Sequence, residues 1–228
     1  KMAVYDLEEQ EQLSELKLWW QRYGNFVTTA VTLAALAVIG FQAWNWYQRN
    51  QSSQASGVYL ALQKAVVEKD AKKTREAAGE LLDKYPRTAY ASLGAMLAAR
   101  FQFEAGDLKT ARVQLGWVVD NARDAQLRDL ARLRLAAVML DDQAYDEALK
   151  ILEKEPLTPY AASYAETRGD ILTAQNKRAE ARVAYESALA KLDEAQKKTA
   201  GAEAQGNTSY RDVLQIKLES VGSVGADK

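Results

Sequence analysis

The chain has 228 residues, 27% of them charged, yet 30 Lys and Arg against 31 Asp and Glu leave a net charge of −1. That balance argues against nucleic acid as a partner, because binding it needs a basic surface to neutralise phosphates. His and Cys are absent. Disulfides, Cys/His metal sites, thiol nucleophiles and imidazole acid–base groups are therefore absent too, and no catalytic residue, metal ligand or cofactor is expected.

The first 22 residues are short and rich in acid, and Lys1 in front of Met2 suggests a natural start at Met2. Residues 23–48 then carry no charge and are closed by Arg22 and Arg49. The apolar centre, 26–46, makes about 31 Å of helix at roughly 1.5 Å per residue. It therefore matches a hydrocarbon core of about 30 Å. Trp19, Trp20 and Tyr23 flank one end and Trp44, Trp46 and Tyr47 the other, as amphipathic rings do at headgroup level. Thr28, Thr29 and Thr32 fit such a helix, since a hydroxyl bonds back to a carbonyl one turn earlier.

A buried helix of a soluble core rarely holds so long an uncharged run. A cleaved signal peptide would use Ser53-Gln54-Ala55, but the run is longer than an h-region and its leader is acidic. The expectation is an uncleaved transmembrane helix in a lipid bilayer. Lys17 and Arg22 on one side and Arg49 and Lys64 on the other tie in number, and the nearer N-terminal pair leans towards a cytoplasmic N-terminus. Ala30, Ala34 and Ala37 form a small-residue face that another helix could meet.

From 49 to 195 Ala, Leu, Glu, Lys, Arg and Gln dominate, and Pro86, Pro156 and Pro159 fall at expected joints between helices. "GDLKTARVQLGWVV" (106–119), "AYDEALKIL" (144–152) and "NKRAEARVAYESAL" (176–189) align, with a weaker copy in "KKTREAAGELLDKYP" (72–86). Registering on Ala77, Ala111, Ala148 and Ala181 gives spacings of 34, 37 and 33 residues. That is the tetratricopeptide (TPR) period, two antiparallel helices per unit. Each alanine would let two helices cross closely, and Leu81, Leu115, Leu152 and Tyr185 one turn on would fill between hairpins. Turns such as Gly106-Asp107 end one helix and cap the next. Arg132 and Arg168 stand where a strong repeat has an apolar residue, so the motif is degenerate. An ordinary helical bundle is the weaker reading, because bundles lack a fixed period.

Residues 196–209 are small and polar and read as a flexible link. In 210–221, "YRDVLQIKLESV", Tyr210, Val213, Leu214, Ile216 and Leu218 recur at amphipathic spacing, as expected of a helix capping the last hairpin. Residues 222–228 read as a disordered tail. The fold class expected is all-α: one transmembrane helix, then a TPR-like α-solenoid of about four hairpins with a C-terminal cap.

This order of parts, with "LKLWWQRYGNF" leading into the anchor, "QASGVYLAL" opening the helical stretch and "VLQIKLESV" closing the chain, resembles the bacterial YfgM family, ancillary subunits of the SecYEG translocon. The resemblance covers essentially the whole chain. It implies an inner-membrane protein with a cytoplasmic N-terminus and a periplasmic TPR domain. It also implies association with the SecYEG translocon and with a membrane-anchored periplasmic chaperone of the PpiD type. Members are thought to help pass translocating, unfolded polypeptides to periplasmic chaperones.

In a TPR stack the first helix of each pair lines one face. The register places Tyr59, Leu62, Leu93, Met96, Arg100, Phe103, Leu130, Leu133, Ala137 and Leu140 there, with Glu166 and Asp170 closing the row. A floor of that kind suits an amphipathic helix or an extended segment. Two other classes compete. An enzyme would need more than the solvated acids Asp120, Asp141 and Asp142. A scaffold for cell division or envelope assembly could use the same fold.

Overall fold

The computed structural model describes residues 3–198 and 206–222, with side chains over 17–197 and 209–222. The described residues are mostly helical and contain no strand. The helices are α1 (Ala3–Val67), α2 (Ala71–Lys84), α3 (Ala89–Glu104), α4 (Leu108–Asn121), α5 (Ala125–Asp141), α6 (Tyr145–Ile151), α7 (Ala161–Ala174), α8 (Arg178–Lys198) and α9 (Gly206–Gly222). The chain divides into two compact units, Lys1–Gln51 and Ser52–Lys228.

In the first unit the helix does not stop at either end of the expected 23–48 span but runs on in both directions. Its most apolar stretch is wholly exposed and long enough to cross a bilayer. The hydroxyls of Thr28, Thr29 and Thr32 donate to the carbonyls of Gly24, Asn25 and Thr28 at 2.6, 2.7 and 2.8 Å. Polar side chains in the run thus have partners within their own helix. Trp19 packs on Trp20 and Tyr23, and Trp44 on Tyr47.

The second unit is built of four helical hairpins: the end of α1 with α2, α3 with α4, α5 with α6, and α7 with α8. Each hairpin turns through one residue in the left-handed region: Lys69 (φ 55°), Gly106 (80°), Gln143 (58°) and Asn176 (60°). Around each, two reverse hydrogen bonds close the helix end. At Gly106 its N–H donates to the Phe103 carbonyl at 2.9 Å, and the next N–H, of Asp107, reaches Gln102 at 2.8 Å. The same pair recurs at 69–70, 143–144 and 176–177. This is the Schellman closure, for which glycine is the cheapest residue. Three of the four turns use Lys, Gln or Asn there, so glycine marks only the second. Asp70 and Asp107 then cap α2 and α4 by accepting from Lys73 N and Thr110 N, both at 3.0 Å.

These turns give a register that corrects one expectation. The residue five after each left-handed position is Thr74, Ala111, Ala148 or Ala181, and all four are fully buried. The first copy is thus centred on Thr74, not Ala77, and the spacings are 37, 37 and 33 residues. Ala78, not Leu81, is the counterpart of Leu115, Leu152 and Tyr185. The sequence misled because "EAAGELL" offers an alanine at the expected distance while the true crossing position holds threonine.

The third hairpin departs from the others. α6 has 7 residues where α2 and α4 have 14. Pro156 and Pro159 follow and lack the N–H that a continuing helix needs. The intervening chain is tied down by a buried polar knot. Asp129 accepts from Arg132 Nη1 at 2.7 Å and from Leu157 N at 2.9 Å, and the Tyr164 hydroxyl donates to the Asp129 carbonyl at 3.0 Å. Arg132 therefore sits inside a repeat without an unpaired charge. Burial, then the neighbouring Asp129 charge, pushes the Tyr164 phenol up to about 12, partly opposed by Arg132.

The last helices also sharpen the expected boundaries. α8 continues to Lys198 and α9 begins at Gly206, so both ends of the supposed 196–209 link are helical. Residues 199–205 lie outside the described part, as do 223–228 of the expected tail. Leu214 is buried beside Ala162, Ala165, Ala188 and Leu192, and Leu218 and Val221 pack near Tyr185. Val213 and Ile216, expected on that apolar face, are exposed instead. The stripe 210, 214, 218, 221 faces inward, and 213 and 216 fall off its edge.

Candidate polypeptide-binding face

The first helices of the hairpins present the face on which a partner was expected, and the structure divides the expected residues into three groups. Leu62 is fully buried in the first hairpin, its Cδ2 3.3 Å from where a Cβ on Gly94 would stand. It is a core residue and unavailable for contact, a correction to the expected row. Leu130, Leu133 and Leu140 are half-buried and pack against the main core. Tyr59 is half-buried and stacks on Tyr90 with ring centroids 5.6 Å apart, while Leu93 is exposed. Met96, Arg100, Phe103 and Ala137 form the third group, which comes together.

These four line a cleft of ≈ 310 Å³ between α3 and α5, completed by Ala99, Leu115, Arg134 and Val138. Its floor is buried: Ala99 and Leu115 are almost wholly covered, and Met96 and Val138 are each 5% exposed. Its mouth is open, with Phe103 at 38% and Arg100, Arg134 and Ala137 exposed. The cleft exists because both facing helices carry small residues, Ala99 and Ala137, where larger ones would meet. Arg134 is not among the residues expected on this face, and Leu115 was expected only as filler between hairpins. Arg134 lies one helical turn from Leu130 and Ala137, so the period could have found it. Leu115, from the second helix, reaches the cleft only because Ala99 is small.

At the far end of the row, Glu166 and Asp170 of α7 are engaged by α9. Lys217 Nζ lies 2.7 Å from Glu166 Oε1 and 2.8 Å from both oxygens of Asp170. The Tyr210 hydroxyl donates to Glu166 at 2.7 Å, and the Tyr185 hydroxyl to Asp170 at 2.8 Å. Burial pulls the Lys217 ammonium down, but the bonds to Asp170 and Glu166 more than offset it and its affinity for the proton is raised. The acids read as the groove's charged end are therefore engaged within the fold, two carboxylates sharing one ammonium and two phenol donors.

A second, more polar cleft of ≈ 610 Å³ opens where α6 stops short. Arg168 lines it with Glu153, Glu155, Glu180 and Lys191. Ala98 and Leu135, at the equivalent repeat positions, are buried. Arg168 is exposed because the missing turns of α6 would have covered it. In the membrane-type helix, Ala30, Ala34 and Ala37 are all exposed. Ala37 borders a shallow groove along the same helix with Val38, Phe41, Gln42 and Trp46.

The four Schellman-closed hairpins and the capping helix set the architecture, and a family profile agrees with it. The sequence profile of the tetratricopeptide repeat-like domain family matches residues 17–223. The chain belongs to that family. Among its relatives is a protein of Neisseria gonorrhoeae named "Ancillary SecYEG translocon subunit", 29% identical over 221 residues, 96% of this chain and 100% of the relative. A protein of the same name from Escherichia coli K12 is 26% identical over 96% of this chain and 99% of its own length. One from Haemophilus influenzae is 27% identical over 81% and 90%. The resemblance to the YfgM family read from the sequence is thus shared by named relatives along nearly the whole TPR-like chain. The matched region takes in the apolar stretch of α1 as well as the repeats.

Proposed function

We propose that this protein is a non-catalytic, single-pass inner-membrane adaptor that works beside the SecYEG translocon. Residues 23–48 span the bilayer, the N-terminus is cytoplasmic, and the repeats stand in the periplasm. The face around Phe103 collects segments of newly translocated chains and helps pass them to periplasmic chaperones, including a membrane-anchored one of the PpiD type. One observation carries the reading. Relatives named as translocon subunits align with both the apolar helix and the repeats, and the repeats hold an open apolar cleft. Anchoring raises the effective concentration of such a cleft at the membrane, so weak contact with many clients suffices.

The test is site-specific photocrosslinking in membranes from Phe103 and from Ala34. Adducts to the protein-conducting channel from Ala34, and to secretory chains from Phe103, are expected. Adducts only to wall-synthesis or division proteins would overturn the reading. Because these 228 residues contain no cysteine, single cysteines introduced near residue 17 and in α9 report orientation through a membrane-impermeant maleimide. Labelling from the cytoplasmic side in α9 would refute the proposed topology.

A further inference from the structure

The cleft between α3 and α5 has a chemical asymmetry that the adaptor reading leaves unused. Six of its eight lining residues are Met, Ala, Phe, Leu or Val, and the two others are Arg100 and Arg134. Both guanidinium-bearing residues are exposed at the mouth, while the buried floor is apolar. Arg100 Nε donates to Glu104 at 2.8 Å, so that arginine is internally balanced. Arg134 has no carboxylate within ion-pair distance among the described residues. Glu104 is taken up by Arg100, and Glu166 and Asp170, the acids that close the row, are held by Lys217. The mouth is therefore positive, with no carboxylate among its lining residues.

A volume of ≈ 310 Å³ lies at the bottom of the range that small-molecule sites occupy, roughly 300–1,000 Å³. With an apolar floor and a partly open mouth it suits one large side chain of a polypeptide, with its backbone running across the rim. Interface anchors are of this kind, an aromatic or aliphatic group in a desolvated hole with charge at the edge.

We propose that this cleft is an anchor pocket selecting polypeptide segments in which a large apolar side chain is accompanied, about one helical turn away, by a carboxylate that pairs with Arg134. The inference rests on the adaptor reading and narrows it. The face discriminates against basic segments and favours acidic amphipathic ones. Charge at the rim sets which segments dwell, and the apolar hole supplies the common contact.

The experiment uses the full chain in nanodiscs and two labelled amphipathic peptides. Each carries one Trp, with Glu one turn away in the first and Lys in the second. Fluorescence anisotropy is expected to show the Glu peptide binding about tenfold tighter or more, because the Lys peptide sets like charges together at the rim. Arg134→Glu, at an exposed position, should invert the preference, and Ala137→Trp, which fills the mouth, should abolish capture of both peptides. An unchanged melting temperature shows that each variant is folded. Equal binding of the two peptides, with both lost in Ala137→Trp, overturns the charge selection and leaves the binding face intact. If Ala137→Trp changes neither, the pocket fails and the adaptor's binding face fails with it.

Discussion

Gly169 lies against the ring of Tyr185 so closely that a Cβ built on it would stand 2.5 Å from Cε1. Each hairpin can be indexed from its left-handed turn residue, taking the position seven before and the one nine after. The pairs are Leu62 with Ala78, Ala99 with Leu115, Ala136 with Leu152, and Gly169 with Tyr185. All eight are buried. In each repeat a small residue stands opposite a large one, and the first repeat reverses which helix carries which. A fixed inter-helix gap is filled with a conserved sum and a varying partition, as close packing demands.

Gly169→Ala therefore puts a methyl group where no space exists. The expected cost is about 1–3 kcal/mol, typical of overpacking. For a protein of this size each kcal/mol lowers the melting temperature by roughly 2–4 °C. Circular dichroism melts of Gly169→Ala, Tyr185→Leu and the double variant test the pairing. The double variant should lose less than the sum of the singles, because a smaller residue at 185 makes room for the methyl group.

The repeat itself was legible in the sequence, and so were the long apolar helix and three of the four hairpin registers. Those signals depend on period and composition, which a single chain displays. The first register is not legible in the sequence, because threonine stands at the crossing position and Ala77 lies nearby at the expected spacing. Leu62 was assigned to the exposed row because the size reversal with Ala78 cannot be seen until both helices are placed. Helical spacing alone places Met96, Arg100, Phe103 and Ala137 on one face, and in the structure they line one cleft. Arg134 shares the helical face of Leu130 and Ala137 but breaks its apolar run, and Leu115 comes from the other helix of its hairpin.

Thr74 gives a sharper form of the register argument. Its Oγ1 is buried without a hydrogen-bond partner among the described residues. Burying an unpaired hydroxyl costs about 1–3 kcal/mol on mutational scales. Thr74→Ala restores the residue found at 111, 148 and 181, so this deletion in the core should leave stability unchanged or raise it by about 1 kcal/mol. Ala111→Thr should destabilise by a similar amount. Urea midpoints decide between this register and the one centred on Ala77, under which Thr74→Ala would behave as an ordinary core truncation.

The Asp129 side chain pairs with buried Arg132 and ties α5 to the chain at Leu157, so its loss should exceed that of any exposed ion pair. Asp129→Ala leaves the Arg132 guanidinium buried and unpaired and frees Leu157 N. The expected cost is about 3–5 kcal/mol. Replacing both members by Leu should recover much of that, since the charge leaves with its partner. Urea unfolding of Asp129→Leu, Arg132→Leu and the double variant makes the comparison. Additive losses would show that the knot is not an energetic unit.

The junction of α7, α8 and α9 should weaken in alkali. The Lys217 ammonium is held above its ordinary value near 10.5 by Asp170 and Glu166, despite the opposing effect of burial. Burial pushes the Tyr185 phenol up to about 12, and Tyr210 is raised likewise. In each case the folded state holds its proton more tightly than the unfolded chain does. The stabilisation is therefore complete below pH 10 and fades as pH rises towards 12. Denaturant midpoints should stay level from neutral pH to about 10 and fall above it. Phenolate absorbance should show these tyrosines ionising late, together with unfolding. A midpoint that falls between pH 8 and 10 would contradict the assignment.

Phe103 and Leu133 were expected to serve the same face, and the structure separates them. Phe103 is 38% exposed at the mouth of the cleft. A glutamate there keeps the fold, because its carboxylate can remain in water, but it removes an apolar wall. Phe103→Glu should weaken peptide capture about tenfold or more, in the range of a lost interface anchor. Its melting temperature should move by no more than a few degrees. Leu133 is half-buried against the core, so Leu133→Glu must either bury a carboxylate or unpack α5. It should lose about 2–5 kcal/mol of stability, the range of a large truncation in a core. Any loss of capture there follows from unfolding, and cooling the sample should restore it. Equal stability losses in both variants would place Phe103 in the core and remove it from the binding face.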